Sequence, residues 1–245
     1  MFELIEGEFL KLKRSRMFTI TLLGSLVPAI LLLVMMIKIE STFTYSLLFE
    51  QSLEYVTLLF GFLLYILLAT YIFNREYTEH TLKTVITTPL SRTKFIISKL
   101  VVIFIWMSIL TLIFYLSTIF VGYIGGATQL TTQSLMIFLK ELYIADVLLF
   151  LLINPFIFIT MLLKNIIPSI ICGVAMVLAN VMSIGDKLSV YNPGTAVYLL
   201  STYQPDINSL IYNQSPLIPF TVIILISIIG FILSWLYFTK TDITL

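Results

Sequence analysis

Long apolar runs separated by short polar breaks dominate the chain: Met17 to Ile37, Tyr55 to Phe73, Leu100 to Val121, Leu142 to Leu163, Ile166 to Ile184 and Pro216 to Phe238. Each comes close to the roughly 20 residues a helix needs to cross about 30 Å of hydrocarbon. The pattern predicts an all-α integral membrane protein, a single transmembrane domain over residues 1–245 with six spans. No charged residue occurs from Leu100 through Leu139, so the third and fourth spans are divided at Gly122, Gly125 and Gly126, where Thr and Gln follow. Pro28 and Asn154-Pro155 lie inside the first and fourth runs. Each proline lacks a backbone donor, which predicts a kink and a freed carbonyl. A packing joint and a gating hinge fit that pattern equally.

The polar stretches carry the remaining information. In residues 1–16, Phe2, Ile5, Phe9 and Leu12 repeat at helical spacing, with Glu3, Gly7, Lys11 and Arg14 opposite. This reads as an interfacial helix whose apolar face sinks into lipid while its cations meet anionic headgroups; a plain stop-transfer charge cluster is the other reading. Lys38 to Glu54 reads as a solvated loop. Residues 185–215 contain the Asn192-Pro193-Gly194 turn and then Thr195 to Tyr203, apolar enough for a short helix before the last span.

Residues 74–99 hold five of the fourteen Lys and Arg residues and the only histidine, His80. From Arg75 to Ile86 a helix fits: Glu79 stands four before Lys83, and Glu76 four before His80. Thr88-Pro89 supplies an N-cap and a first-turn proline for a second helix that runs through Arg92, Lys94 and Lys99 into the third span. A stiff element of this kind can transmit a push. A solvated basic loop fits the same residues.

Composition narrows the class. Hydrophobic residues make up 59% and charged ones 11%, against about 25% charged in average chains, and the mean hydropathy is +1.06. Six spans leave little of 245 residues for a soluble domain, so an ATP-binding domain is expected on another chain. The acid-containing stretch before the first full-length span does not fit a cleavable signal peptide. A net charge of +1 supplies no basic face for nucleic acid. The lone Cys172 reads as a small buried hydrophobe. With the N-terminus inside, Lys11, Lys13, Arg14, Arg16, Arg75, Lys83, Arg92, Lys94, Lys99, Lys164 and Lys240 fall inside, and Lys38, Lys140 and Lys187 outside. That asymmetry predicts cytoplasmic termini.

Candidate chemistry is sparse. An intramembrane hydrolase needs a nucleophile, base or metal ligands within mutual reach, and no two zinc-ligand types lie together inside a run. The phosphate-cradling pattern GxxxxGK[ST] is absent. Asp146 is the one acid inside a predicted span, and it reads as a solvated or paired interfacial carboxylate near Lys140 and Glu141 rather than an ion-coupling site. An ion-driven carrier would call for more intramembrane ionisable groups and paired broken helices.

Glu76, Glu79, Thr81-Leu82-Lys83, Pro89-Leu90-Ser91-Arg92 and Phe95 together resemble the coupling segment of ABC-2 type permeases. Residues Glu8-Phe9-Leu10-Lys11-Leu12-Lys13-Arg14-Ser15 are similar to the opening of the short six-span members associated with lantibiotic immunity, bacitracin resistance and export of amphipathic peptide toxins. The resemblance implies a permease subunit in a bacterial cytoplasmic membrane that pairs with a second copy or a related chain. It implies a separate cytoplasmic ATPase holding ATP and Mg, contacted through Glu76, Tyr77, Glu79, His80, Thr81, Leu82 and Lys83 and through the N-terminal helix. It also implies short outer helices before the last span. His80 stands where the family often has Gly. An amphipathic or hydrophobic peptide, or a lipid-like molecule, is the implied substrate, with Asp146, Asn154 and Pro155 as candidates along its pathway. An ion-coupled carrier, an intramembrane hydrolase and a peptide-binding sensor are the alternatives.

Overall fold

A computed structural model describes residues 2–38, 43–79, 92–183, 187–202 and 216–240. The helices are α1 (Phe2–Lys13), α2 (Arg16–Ser25), α3 (Val27–Lys38), α4 (Tyr45–Glu54), α5 (Phe60–Thr78), α6 (Arg92–Ile124), α7 (Thr132–Leu152), α8 (Asn154–Leu163), α9 (Ile167–Ser183), α10 (Pro193–Ser201) and α11 (Leu217–Lys240). A π-helical turn, Tyr55–Leu59, joins α4 to α5, and a 3-10 turn, Lys187–Val190, precedes α10. No strand occurs among the described residues; one isolated bridge ties Thr44 to Thr128.

Five helical stretches are long and apolar enough to cross a membrane: Arg16–Lys38, Tyr45–Thr78, Thr93–Ile124, Thr132–Leu163 and Leu217–Phe238. Ile167–Ser183 is apolar but has 17 residues, about 26 Å at 1.5 Å per residue.

Two boundaries and one burial differ from the sequence reading. The stretch expected to be a solvated loop before Glu54 contains α4, because Tyr45, Leu48, Phe49, Ser52 and Leu53 fall on one helical face and bury it. The fourth helix starts at Thr132, ten residues before Leu142, behind a reciprocal cap in which Thr131 and Ser134 satisfy each other's backbone donors. Cys172 is exposed rather than buried, as is its apolar neighbour Ile171. The glycine division holds: α6 ends at Ile124, and Gly126 takes a φ of +73° that an L side chain adopts only under strain.

Both prolines break their helices. Pro28 follows the interruption between α2 and α3, and Pro155 that between α7 and α8. The carbonyl that loses its partner to Pro155 is Leu151 O, and Asn154 Nδ2 donates to it at 2.9 Å. Asn154 Nδ2 also approaches Ser227 Oγ at 3.1 Å. A Cβ on Gly230 would stand 2.5 Å from Pro155 N, so α11 lies directly against the break. α5 runs through the core, burying Phe62, Tyr65, Ile66, Leu68, Ala69, Ile72 and Phe73.

Candidate functional site

Two turns into α6, Lys99 is 1% exposed. A buried ammonium has three protons to place, and each has an acceptor here: Glu8 Oε2 of α1 at 2.8 Å, Glu76 Oε1 of α5 at 2.8 Å and Ile72 O of α5 at 3.3 Å. Phe95, one turn earlier on α6, places its ring 4.9 Å from the Lys99 nitrogen. Lys11 adds a second cation, 2.9 Å from Glu8 Oε1 and 3.6 Å from Glu76 Oε1. Two carboxylates thus face two ammonium groups, so the buried cluster is neutral overall. Burial pushes the Glu8 carboxyl up, but the Lys99 charge and hydrogen bonds from Lys99 and Lys11 override it and hold the group below the ordinary carboxylate range. Burial pushes Lys11 down, and Glu8 and Glu76 outweigh it and raise the ammonium above its ordinary value.

Local sequence explains the convergence. Ile72 and Glu76 are four apart on α5 and share a face, as do Phe95 and Lys99 on α6. The part of the α1 face expected to sink into lipid that holds Phe9 and Leu12 is covered by protein: Leu12 is 1% exposed, and Phe9 sets its ring edge-on to Trp106 at 5.9 Å. Trp106, two turns beyond Lys99, donates from Nε1 to Thr21 Oγ1 at 3.1 Å and lies 4.8 Å from Phe18. One end of the bundle therefore ties α1, α2, α5 and α6 into a single joint.

Of the residues singled out for coupling, Glu76 sits in this cluster and Tyr77 packs against the core beside it. Glu79 is exposed and pairs with Arg75 Nε at 3.5 Å. His80, Thr81, Leu82 and Lys83 lie outside the described residues, as does Thr88-Pro89.

A second polar group lies far from the first. The longer α7 puts Asp146 fourteen residues past its start, about 21 Å along the axis, and it is 1% exposed. The expectation of an interfacial carboxylate near Lys140 and Glu141 is therefore corrected. Its partners are hydroxyls: Ser108 donates to Oδ2 at 3.1 Å, and Thr111 Oγ1 lies 2.9 Å from Oδ1. Tyr65 of α5 stands 2.8 Å from Thr111 Oγ1. Asn154 and Pro155 belong to the α7–α8 break against α11, two turns beyond Asp146, and form no shared polar group with it. Among the described residues, no group of three or more His, Cys, Asp or Glu side chains could hold a metal ion.

The model of a family described as "ABC-2 family transporter protein" matches residues 4–181, which include Glu8, Glu76, Lys99 and Asp146. The chain belongs to the ABC-2 transporter family. The bacitracin transport permease protein BCRB of Bacillus licheniformis is 35% identical over 197 residues, covering 80% of this chain and 91% of that relative. No solved structure matches. As an ABC-2 permease, the chain is a multi-pass membrane transport subunit and not a catalytic one.

Sequence reasoning misses Lys99 and Glu8 as site residues of this permease. In the sequence Lys99 marks only the end of a polar segment, and Glu8 is only part of an opening motif. A usable signal is present: Lys99 is followed by an unbroken apolar run. A cation at such a position needs a carboxylate partner when buried, and Glu8 and Glu76 fall at the same end of the bundle.

Proposed function

We propose that this ABC-2 permease is half of an ATP-driven exporter in a bacterial cytoplasmic membrane, with both termini cytoplasmic and Ile167–Ser183 as one of six spans. A separate ATPase holds ATP and Mg and docks at the segment that begins at the exposed Glu79 and continues through His80, Thr81, Leu82 and Lys83, with the buried Glu76 and the half-buried Tyr77 behind it carrying the docking segment into the bundle. A second permease copy, identical or related, completes the pathway. The carrying observation is the buried Glu8–Lys99–Glu76 bridge. It fastens the end of α5 to both α1 and α6, so a displacement of the docking segment moves three helices together. A flexible loop would dissipate that displacement.

The substrate is an amphipathic or hydrophobic peptide, or a lipid-like molecule, moved out of the cytoplasm or the bilayer. The bacitracin transport named for the Bacillus relative supports a substrate of this antimicrobial kind. The apolar outer faces of the bundle, with Leu116, Phe120, Leu178 and Leu225 exposed, suit entry from the membrane. The positive-inside asymmetry of Lys and Arg supports the orientation.

Co-purification with the cognate ATPase and bacitracin-stimulated ATP hydrolysis test the coupling. Lys99→Met is expected to leave ATPase association detectable while abolishing stimulation. Full stimulation in a folded Lys99→Met permease would remove the bridge from the coupling path.

A further inference from the structure

Thr111 Oγ1 has three oxygen neighbours at hydrogen-bond distance: Tyr65 Oη at 2.8 Å, Asp146 Oδ1 at 2.9 Å and Met107 O at 3.0 Å. Each contact needs one proton between its two oxygens. The Tyr65 and Thr111 hydroxyls bring one each, and the Met107 carbonyl brings none. The third proton can come only from Asp146. With the carboxyl ionised, Thr111 can satisfy Asp146 or Met107 but not both, and one oxygen pair stands unbridged. Ser108 donates to Asp146 Oδ2 in either state.

Among the described residues, no cation stands against Asp146 to compensate a charge. The groups that act on Asp146 are Thr111, Ser108 and Tyr65, all hydroxyls. On α6 the nearest charged residue along the helix is Lys99, nine residues from Ser108 and about 13 Å away along the axis, where it is engaged by Glu8 and Glu76. On α5 it is Arg75, ten residues or about 15 Å from Tyr65. α4 carries Glu50 and Glu54, and Glu50 acts on Glu54 and Glu141. On α7 itself, Lys140 and Glu141 lie six and five residues back, on other faces. α8 and α10 hold no charged residue, α10 contributing Tyr198, and α11 offers Tyr237 and, as its last residue, Lys240.

We propose that Asp146 is a proton-binding site within the membrane bundle, a neutral carboxylic acid that donates to Thr111 when α5, α6 and α7 are packed together. The proton comes from water and returns to it: packing of the three helices takes it up, and an opening that wets the carboxyl releases it. This goes beyond the transport reading and does not depend on it.

Infrared spectroscopy of the full-length permease in lipid vesicles at neutral pH tests the assignment. Wild type minus Asp146→Asn is expected to show the carbonyl band of a protonated carboxylic acid, shifting on exchange into heavy water. A difference spectrum without that band overturns the proposal. Thr111→Val removes the acceptor and serves where Asp146→Asn fails to insert. Its band is expected at higher frequency than the wild-type band, as for a carboxyl that has lost its hydrogen bond. A band absent from wild type, or unmoved by Thr111→Val, overturns the assignment as well.

Discussion

Glu76 and Asp146 are hidden from solvent to the same degree, 2% and 1% exposed, yet their surroundings accommodate a carboxyl group in opposite ways. Glu76 sits at one end of the bundle against a buried ammonium, a second cation and another carboxylate. Asp146 sits in the middle of a 32-residue helical stretch, and its hydrogen-bond partners among the described residues are hydroxyls. Near a bundle end, long Lys side chains can reach inward from residues whose backbones lie close to a polar boundary. Deep in the bundle a compensating Lys would bring its own desolvation cost, and short hydroxyl side chains on helix faces are the donors that fit. The ion cluster therefore serves as a mechanical joint between three helices. The hydroxyl cluster holds one group whose charge state the packing controls.

The largest expected effect separates the two directly. Lys99→Met leaves Glu8 and Glu76 facing each other with only the half-exposed Lys11 to offset them and is expected to cost about 3 to 5 kcal/mol, the range for removing one member of a buried ion pair; thermal unfolding of the purified permease measures it. Adding Glu8→Gln and Glu76→Gln should recover most of that loss, since two buried carboxylates then no longer share the single, half-exposed Lys11. Next in size, Thr111→Val should cost about 1 to 3 kcal/mol by leaving buried hydrogen-bonding groups unsatisfied. Losses of equal size at the two sites would break the comparison.

The smallest effect involves one proton. Glu8 is held below its ordinary value, so the stability it contributes is present above the ordinary pKa of 4.5 and is lost as pH falls from there through its own lower value. Glu8→Gln should flatten that acid branch, at most about 1.4 kcal/mol per pH unit for a single group. Unfolding midpoints of the two proteins measured across this acid range give the answer. Acid branches of identical slope would place the Glu8 carboxylate outside the stabilising cluster.

Part of the site is legible in the amino acids. Glu76 stands out because helical spacing puts it in a polar segment between two apolar runs, and Pro155 because its missing donor has to break a helix. Asp146 is visible as an acid within a span, but the sequence sets it too close to an edge. Lys140 and Glu141 look like boundary markers, whereas the Thr131–Ser134 cap starts α7 well before them and carries both charges into the helix. α4 is masked by the three acids around it, which obscure the apolar face of Tyr45, Leu48, Phe49 and Leu53. Lys99 and Glu8 stand 91 residues apart; the local Glu8–Lys11 pair is visible in the sequence but leaves Lys11 41% exposed and gives no sign of the buried ammonium that Glu8 also meets.

Membership of a membrane-spanning helical class, the glycine division after the third span and the two proline breaks follow from the amino acids alone. Apolar run length, missing donors and left-handed backbone are properties of neighbouring residues. Which face of α1 meets protein, which carboxylates meet Lys99, and that Asp146 meets hydroxyls from other helices are decided by tertiary packing. Those contacts join residues on different helices, and apolar periodicity records that a face is buried without recording which helix covers it.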